Sequence, residues 1–282
     1  MNFEMIKSDH SSQICTIKCL QEDVHIVWVS DLHGDSGHSK VKFLEKVLKD
    51  YPDSLIIVGG DHLDVMQNAG DKRGSKSDLD ERFKKDTYIN EVIDYNTEFW
   101  GKYATRILAF FVGNHEMSQV RFYGIDITRE IVKNLNSTYG TNIVLGDLAG
   151  YLKVRFNNSG RKYVKNIYYA HRPISGGTRS KGMLSVDLIK GRYPDADIWI
   201  TEHIHDTWIK PIRQERLTQD GKIYFQTKWV LQMPTLKDEF SGPKRGYTHG
   251  KNYEASPIGV VVLKFNISKR LRVEPKYELI EE

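Results

Sequence analysis

Residues Val24-His25-Ile26-Val27-Trp28-Val29-Ser30-Asp31-Leu32-His33 constrain this chain more than any other stretch. An apolar, largely β-branched run stops at an aspartate and a histidine two positions apart. A run of that kind reads as a buried strand, and its end delivers a carboxylate and an imidazole to one edge of a sheet. Four more runs end in the same way. Ser54-Leu55-Ile56-Ile57-Val58 leads into Gly59-Gly60-Asp61-His62-Leu63-Asp64, and Ile107-Leu108-Ala109-Phe110-Phe111-Val112 into Gly113-Asn114-His115-Glu116. Ile167-Tyr168-Tyr169-Ala170 stops at His171, and Ala196-Asp197-Ile198-Trp199-Ile200 at Thr201-Glu202-His203-Ile204-His205-Asp206.

Helical periodicity fills the intervals. Val41, Leu44, Val47 and Leu48 form one stripe within 38–50, Tyr88, Val92, Phe99 and Tyr103 another within 87–103, and Ile127, Ile131 and Leu135 mark a third helix. The first strand, helix and second strand form a βαβ unit whose crossover should be right-handed. From Asn142 onward shorter alternating strands dominate, with Asn157-Asn158-Ser159-Gly160 as a hairpin turn and a short helix at 183–190. The expected fold class is α/β: two mixed β-sheets packed face to face, flanked by helices, in one domain spanning 1–282. The stretch 66–86 is the most polar of the chain and reads as an insertion, either a mobile surface segment or a lid over a site.

No apolar run approaches the ~20 residues of a membrane span. The N-terminus lacks the basic-then-apolar pattern of a signal peptide, so a cytoplasmic location is expected. Cys15 and Cys19 are the only cysteines. Their spacing could begin a zinc site, but no partners follow at suitable spacing, and on a strand they share one face as reduced structural thiols. The net charge of +4 is unevenly spread: the segment 151–192 carries +9 and the remainder −5. That segment adjoins His171, which favours an anionic partner over a merely solvated basic face.

Each strand-end cluster alone is weak, since a histidine after a strand is commonly structural and Asp61 could be a turn residue. Five in succession, all at the C-terminal edge where α/β sheets carry their sites, point to metal ligation. Mixed carboxylate and imidazole donors suit Mn, Fe, Zn or Ni and suit Ca poorly. Two such cations ~3.5–4 Å apart need a shared anionic bridge, and a water on them falls from a pKa of ~15.7 toward ~7.

The ordered set Asp31-x-His33, Gly60-Asp61-x-x-Asp64, Gly113-Asn114-His115-Glu116, His171 and His203-x-His205 resembles the calcineurin-like metallophosphoesterases. The resemblance implies a four-layer α/β/β/α sandwich and two divalent metal ions, manganese above all. Asp31, His33 and His205 would hold one ion, and Asn114, His171 and His203 the other. Asp61 would bridge them, and a bridging hydroxide would attack phosphorus. His115 would protonate the leaving group or stabilise phosphoryl charge. Asp64, Glu116 and Asp206 match positions that support the ligands, Asp64 by fixing an imidazole tautomer. The chain departs from the family at Glu202, where a glycine is usual; its side chain would either crowd the metal edge or add an outer carboxylate.

Met66-Gln67, Gly176-Gly177-Thr178-Arg179-Ser180-Lys181-Gly182 and Leu236-Lys237-Asp238-Glu239-Phe240 further resemble phage and bacterial members described as nuclease-like. Arg172 is a candidate phosphate clamp, and Arg179 and Lys181 in a glycine-rich loop are further substrate-binding candidates. The resulting expectation is a phosphodiesterase acting on nucleic acid or a nucleotide. Tyr151, Tyr163, Tyr168, Tyr169 and Tyr193 among the basic residues could stack bases, although tyrosines in strands also serve ordinary packing. A phosphomonoesterase or Ser/Thr protein phosphatase is the alternative, and a non-catalytic scaffold is opposed by the intact ligand set.

Overall fold

The computed structural model describes residues 3–7, 14–19, 23–67, 78–158, 161–171, 182–241, 246–250, 254–267 and 271–280. One sheet runs in the order β13 (Leu271–Leu279), β12 (Gly259–Ile267), β3 (Asp23–Val29), β4 (Leu55–Val58), β5 (Ile107–Phe110), β6 (Val144–Leu145). Its members β3 to β6 are parallel, and β12 and β13 are antiparallel additions. The second sheet runs β1 (Phe3–Lys7), β2 (Ile14–Cys19), β7 (Ala149–Asn158), β8 (Arg161–Ala170), β9 (Ile198–Thr201), β11 (Ile223–Gln232), β10 (Trp208–Leu217). Its parallel pairs are β2–β7, β8–β9 and β9–β11. The expected class, two mixed sheets flanked by helices, is the one observed.

Strand alternation sorts the side chains into layers. Ile26 and Trp28 of β3, with Leu55 and Ile57 of β4, face Ile167 and Tyr169 of β8 and Ile198 and Ile200 of β9 in an apolar core between the sheets. Val27, Val29, Ile56 and Val58 point the other way. They pack against α1 (Val41–Asp50), α2 (Tyr88–Gly101) and α4 (Ile127–Tyr139) through Leu44, Val47, Leu48, Val92, Trp100, Ile131 and Leu135. The outer face of the second sheet packs Tyr168, Trp199 and Val230 against Val186 and Ile189 of α5 (Met183–Arg192). The layers are therefore helix, sheet, sheet, helix. Cys15 and Cys19 lie buried on one face of β2, within the inter-sheet core, with no disulfide between them.

Two features differ from the sequence reading. α3 (Asn114–Tyr123) starts directly after β5, where periodicity predicts no helix. It has no apolar stripe to reveal it: Met117, Val120 and Phe122 are exposed, while Glu116 and Gln119 are the buried positions. β10, expected from the sequence over 208–212, runs on to Leu217, where it pairs with Ile223 of β11. Pro211 is tolerated there because β10 is an edge strand. The turn expected at 157–160 and most of the polar insertion fall outside the described residues. Among the described residues, no helix is long and apolar enough to cross a membrane.

Candidate metal centre

The five clusters meet at the C-terminal ends of β3, β4, β5, β8 and β9, so both sheets contribute. Beyond the strands the ladder persists through backbone bonds from Asp31 N to Gly60 O at 3.0 Å and from His33 N to Asp61 O at 3.1 Å. These bonds hold the two ligand loops side by side. Leu236 N and the Thr235 hydroxyl both donate to Asp31 O, which fastens a later segment to the same edge.

The backbone there is strained. Asp31 (φ 50°), His33 (φ 47°), Asp61 (φ 50°), His203 (φ 75°) and His205 (φ 56°) occupy the left-handed region, and Val65 (φ 41°) is the one further non-glycine residue to do so among those described. Each such residue costs of order 1–3 kcal/mol, and such strain concentrates at functional sites. Five of the six are sequence-predicted metal ligands. Close packing adds to this constraint: a Cβ on Gly113 would collide with Asp61 Oδ1 and the Asp61 backbone nitrogen, so only glycine fits.

Two groups of converging donors result, Asp31/His33/His205 and Asp61/His171/His203, and a third, His33/Asp64/His115, shares a member with the first. His205 Nε2 lies 3.1 Å from Asp31 Oδ1. His171 Nε2 is 3.0 Å and His203 Nδ1 3.8 Å from Asp61 Oδ2. His115 sits between the groups. Its N–H donates to Asp61 Oδ1 at 2.9 Å, its Nδ1 is 2.8 Å from Asp64 O, and its Nε2 is 3.7 Å from Asp61 Oδ2.

Electrostatics keeps Asp31, Asp61 and Asp64 ionised. Burial pushes the Asp31 carboxyl up, but the His205 hydrogen bond and nearby imidazoles outweigh it and hold the group at about 2. Asp61 and Asp64 are likewise held well below the usual range against their burial, Asp61 chiefly by His115 and His171 and Asp64 chiefly by Lys237 and His33. Burial and the Lys237 charge hold His33 down at about 4, so its ring is neutral at pH 7. An ionised Asp64 only accepts, so His33 Nδ1 donates to Asp64 Oδ1 at 2.7 Å and turns its Nε2 lone pair inward. The carboxylates overcome burial at His115 and His171, raising both rings.

The donor set fits divalent cations. Ten buried side-chain polar atoms lack a hydrogen-bond partner among the described residues, and three of them, His33 Nε2, His171 Nε2 and Asn114 Oδ1, lie in the site. His171 Nε2, though close to Asp61, makes no well-formed bond with it. A buried polar atom without a partner needs an explanation, and at this site a bound cation would supply one. All three belong to predicted ligands, and buried Asp and His groups of this kind can bind metal ions.

The predicted supporting carboxylates Glu116 and Asp206 differ in their contacts. Glu116 reaches back to Gly113 N at 2.8 Å as the N3 acid of α3, and also accepts from Asp61 N and Leu63 N. Asp206 accepts from Thr207 N at 2.7 Å. Two neighbours of the site have no role assigned in the sequence reading. Asp35, fully buried, accepts from Asp64 N, Val65 N and the Tyr88 hydroxyl. Lys237 lies 3.2 Å from both oxygens of Asp64. The alternation Asp31-x-His33-x-Asp35 is a signal for the first; the segment Leu236-Lys237-Asp238-Glu239-Phe240 stands out in the sequence, but nothing in it pairs Lys237 with Asp64, 173 positions earlier.

The described strands of the basic segment run away from the site edge. Ala149 and Ala170 pair at the site edge and Asn158 with Arg161 at the opposite end. Arg155 and Lys162 therefore sit roughly 20 Å or more along the strands from the site. Lys165 pairs with Asp197, and Lys190 with Asp187. Tyr168 stacks on Tyr193 at 3.7 Å and Tyr169 on Phe111 at 3.8 Å, so these rings serve packing and not base stacking. Arg172, Arg179 and Lys181 lie outside the described residues.

No protein-family model matches the sequence, and no curated protein does. The chain is similar to solved structures at low identity. GAP50, described as the anchor in the inner membrane complex of Plasmodium, is 10% identical, with 91% of this chain and 84% of that chain covered and a TM-score of 0.48. Vps29 of Chaetomium thermophilum is 9% identical, with 91% and 97% covered and a TM-score of 0.37. A protein of unknown function from Aquifex aeolicus, AQ665, is 14% identical, with 64% and 80% covered and a TM-score of 0.29.

Proposed function

We propose that residues 1–282 form one metallophosphoesterase domain that hydrolyses a phosphodiester of nucleic acid or a nucleotide with two divalent metal ions. The observation that carries this reading is the pairing of two Asp/His groups with backbone strain at five of their members. Asp31, His33 and His205 would hold one ion and Asn114, His171 and His203 the other, with Asp61 shared between them. When bound, such a pair supplies a water-derived nucleophile at neutral pH and offsets charge on the phosphoryl oxygens.

The chain's own residues do the rest. Asp64 fixes the His33 tautomer so that Nε2 faces inward. His115 is the general acid: its Nδ1 is occupied by Asp64 O and its Nε2 faces the cluster, placed to donate a proton to the leaving oxygen. Manganese is the first metal to test, with iron, zinc and nickel as alternatives.

A phosphomonoesterase, including a Ser/Thr protein phosphatase, is the second reading. It gains from the burial of Tyr168 and Tyr169, which removes two proposed base-stacking platforms. The two separate by comparing manganese-dependent turnover of bis-p-nitrophenyl phosphate, single-stranded DNA and p-nitrophenyl phosphate, with metal content measured in parallel. Activity on the diesters supports the first reading. Activity confined to the monoester overturns it, and intact protein that binds no cation overturns both.

A further inference from the structure

Glu202 is a fully buried acid that the proposed reaction does not use. It sits one residue beyond β9, in the sheet that also carries His171, yet its carboxylate spans the seam to the other sheet. Oε1 accepts from the Trp28 indole N–H of β3 at 2.7 Å, and Oε2 accepts from Gly60 N after β4 at 2.9 Å. Oε2 also lies 2.9 Å from His171 Nδ1. The space is made by Gly59, where a Cβ would collide with Glu202 Oε1. The carboxylate therefore crowds nothing: the glycine is on the facing loop. A carboxylate already accepting two N–H groups is satisfied by a third donor, which makes Nδ1 the protonated nitrogen and turns His171 Nε2 toward Asp61.

We infer that Glu202 is the positioning residue of the Asn114/His171/His203 cluster, fixing the His171 ring and registering the two sheet edges across which the donors must meet. The inference rests on the metal reading above. It makes Glu202 the counterpart of Asp64: each cluster has one histidine whose Nδ1 is held by a buried carboxylate from a different loop. The two differ in reach, since Asp64 and His33 belong to the same sheet and Glu202 joins both.

The test uses E202Q, which keeps the side-chain volume but offers an amide in place of one acceptor oxygen. Binding of one of two Mn²⁺ ions, followed by calorimetry, should weaken about 10–100-fold while the other is unchanged. In Zn²⁺-loaded protein, the hydrogen-bonded Nδ1–H resonance of His171 in ¹⁵N-histidine spectra should be present in the wild type and lost in E202Q. A purely structural role would lower the unfolding midpoint and leave both readouts as in the wild type, which overturns the inference. If E202Q does not fold, the wild-type spectrum decides: His171 protonated at Nδ1 supports it, and His171 protonated at Nε2 overturns it. Wild-type protein that binds no cation removes the phosphoesterase reading and this inference together. Two ions bound equally tightly by both proteins remove this inference alone.

Discussion

His33 donates from Nδ1 to Asp64 Oδ1 over 2.7 Å while its own backbone sits at φ 47°. The strained backbone sets where the ring emerges and the carboxylate sets which nitrogen faces inward. Replacing Asp64 with asparagine removes the charge and the fixed tautomer together. We expect the Asp31/His33/His205 site to lose about 10–100-fold in Mn²⁺ affinity. Calorimetric titration checks this, and an Asp64→Asn variant that binds both ions as tightly as wild type would refute it.

His115 touches both clusters without being assigned to either ion. Changing it to Ala should cut turnover by roughly 10²–10⁴ and leave metal content near two ions per chain. Turnover and elemental analysis on the same sample provide the check. Loss of both ions would mean that His115 is a ligand, not an acid.

Lys237 is buried against Asp64, and Asp64 is held ionised largely by that ammonium group. Lys237→Met leaves a buried carboxylate short of counter-charge, so urea denaturation of metal-free protein should show a loss of about 3–5 kcal/mol. Adding Asp64→Asn should recover part of it, because the stranded charge is then gone. Additive losses would show that the two groups are not coupled.

Asp238 offers a pH prediction away from the ligands. Burial raises its carboxyl, but Lys40 at 2.8 Å and the N–H groups of Phe240 and Ser241 overcome this and hold it at about 2, against an ordinary 3.8. A depressed carboxyl binds fewer protons folded than unfolded. Its contribution is therefore complete above pH ~4 and lost as pH falls toward 2. Lys40→Met should flatten the pH dependence of the unfolding midpoint in that window while leaving its slope at neutral pH unchanged. An unaltered acid limb would refute the assignment.

The sequence was most legible where apolar runs stop. β3, β4, β5, β8 and β9 each had a compact hydrophobic run with a hard end, so the donors following them could be named from spacing and a family resemblance. What escaped detection depends on tertiary contact. α3 buries Glu116 and Gln119 instead of an apolar stripe, so periodicity had nothing to register. Lys237 reaches Asp64 only because the chain returns past β3 through Leu236. The basic segment looked adjacent to the site because it contains His171. Strands travel ~3.3 Å per residue, however, and the β7–β8 register carries Arg155 and Lys162 away from that edge. Glu202 was visible as a departure from pattern, but the facing Gly59 that accommodates it was not.

Because Asp31, His33 and Asp61 emerge from one sheet and His171, His203 and His205 from the other, an ion seated among them would act as a rivet through the sandwich. Chelation should then loosen the molecule along a single seam instead of melting it evenly. Its heat tolerance should also track free cation concentration, gaining about 2.7 kcal/mol at a hundredfold excess over the dissociation constant.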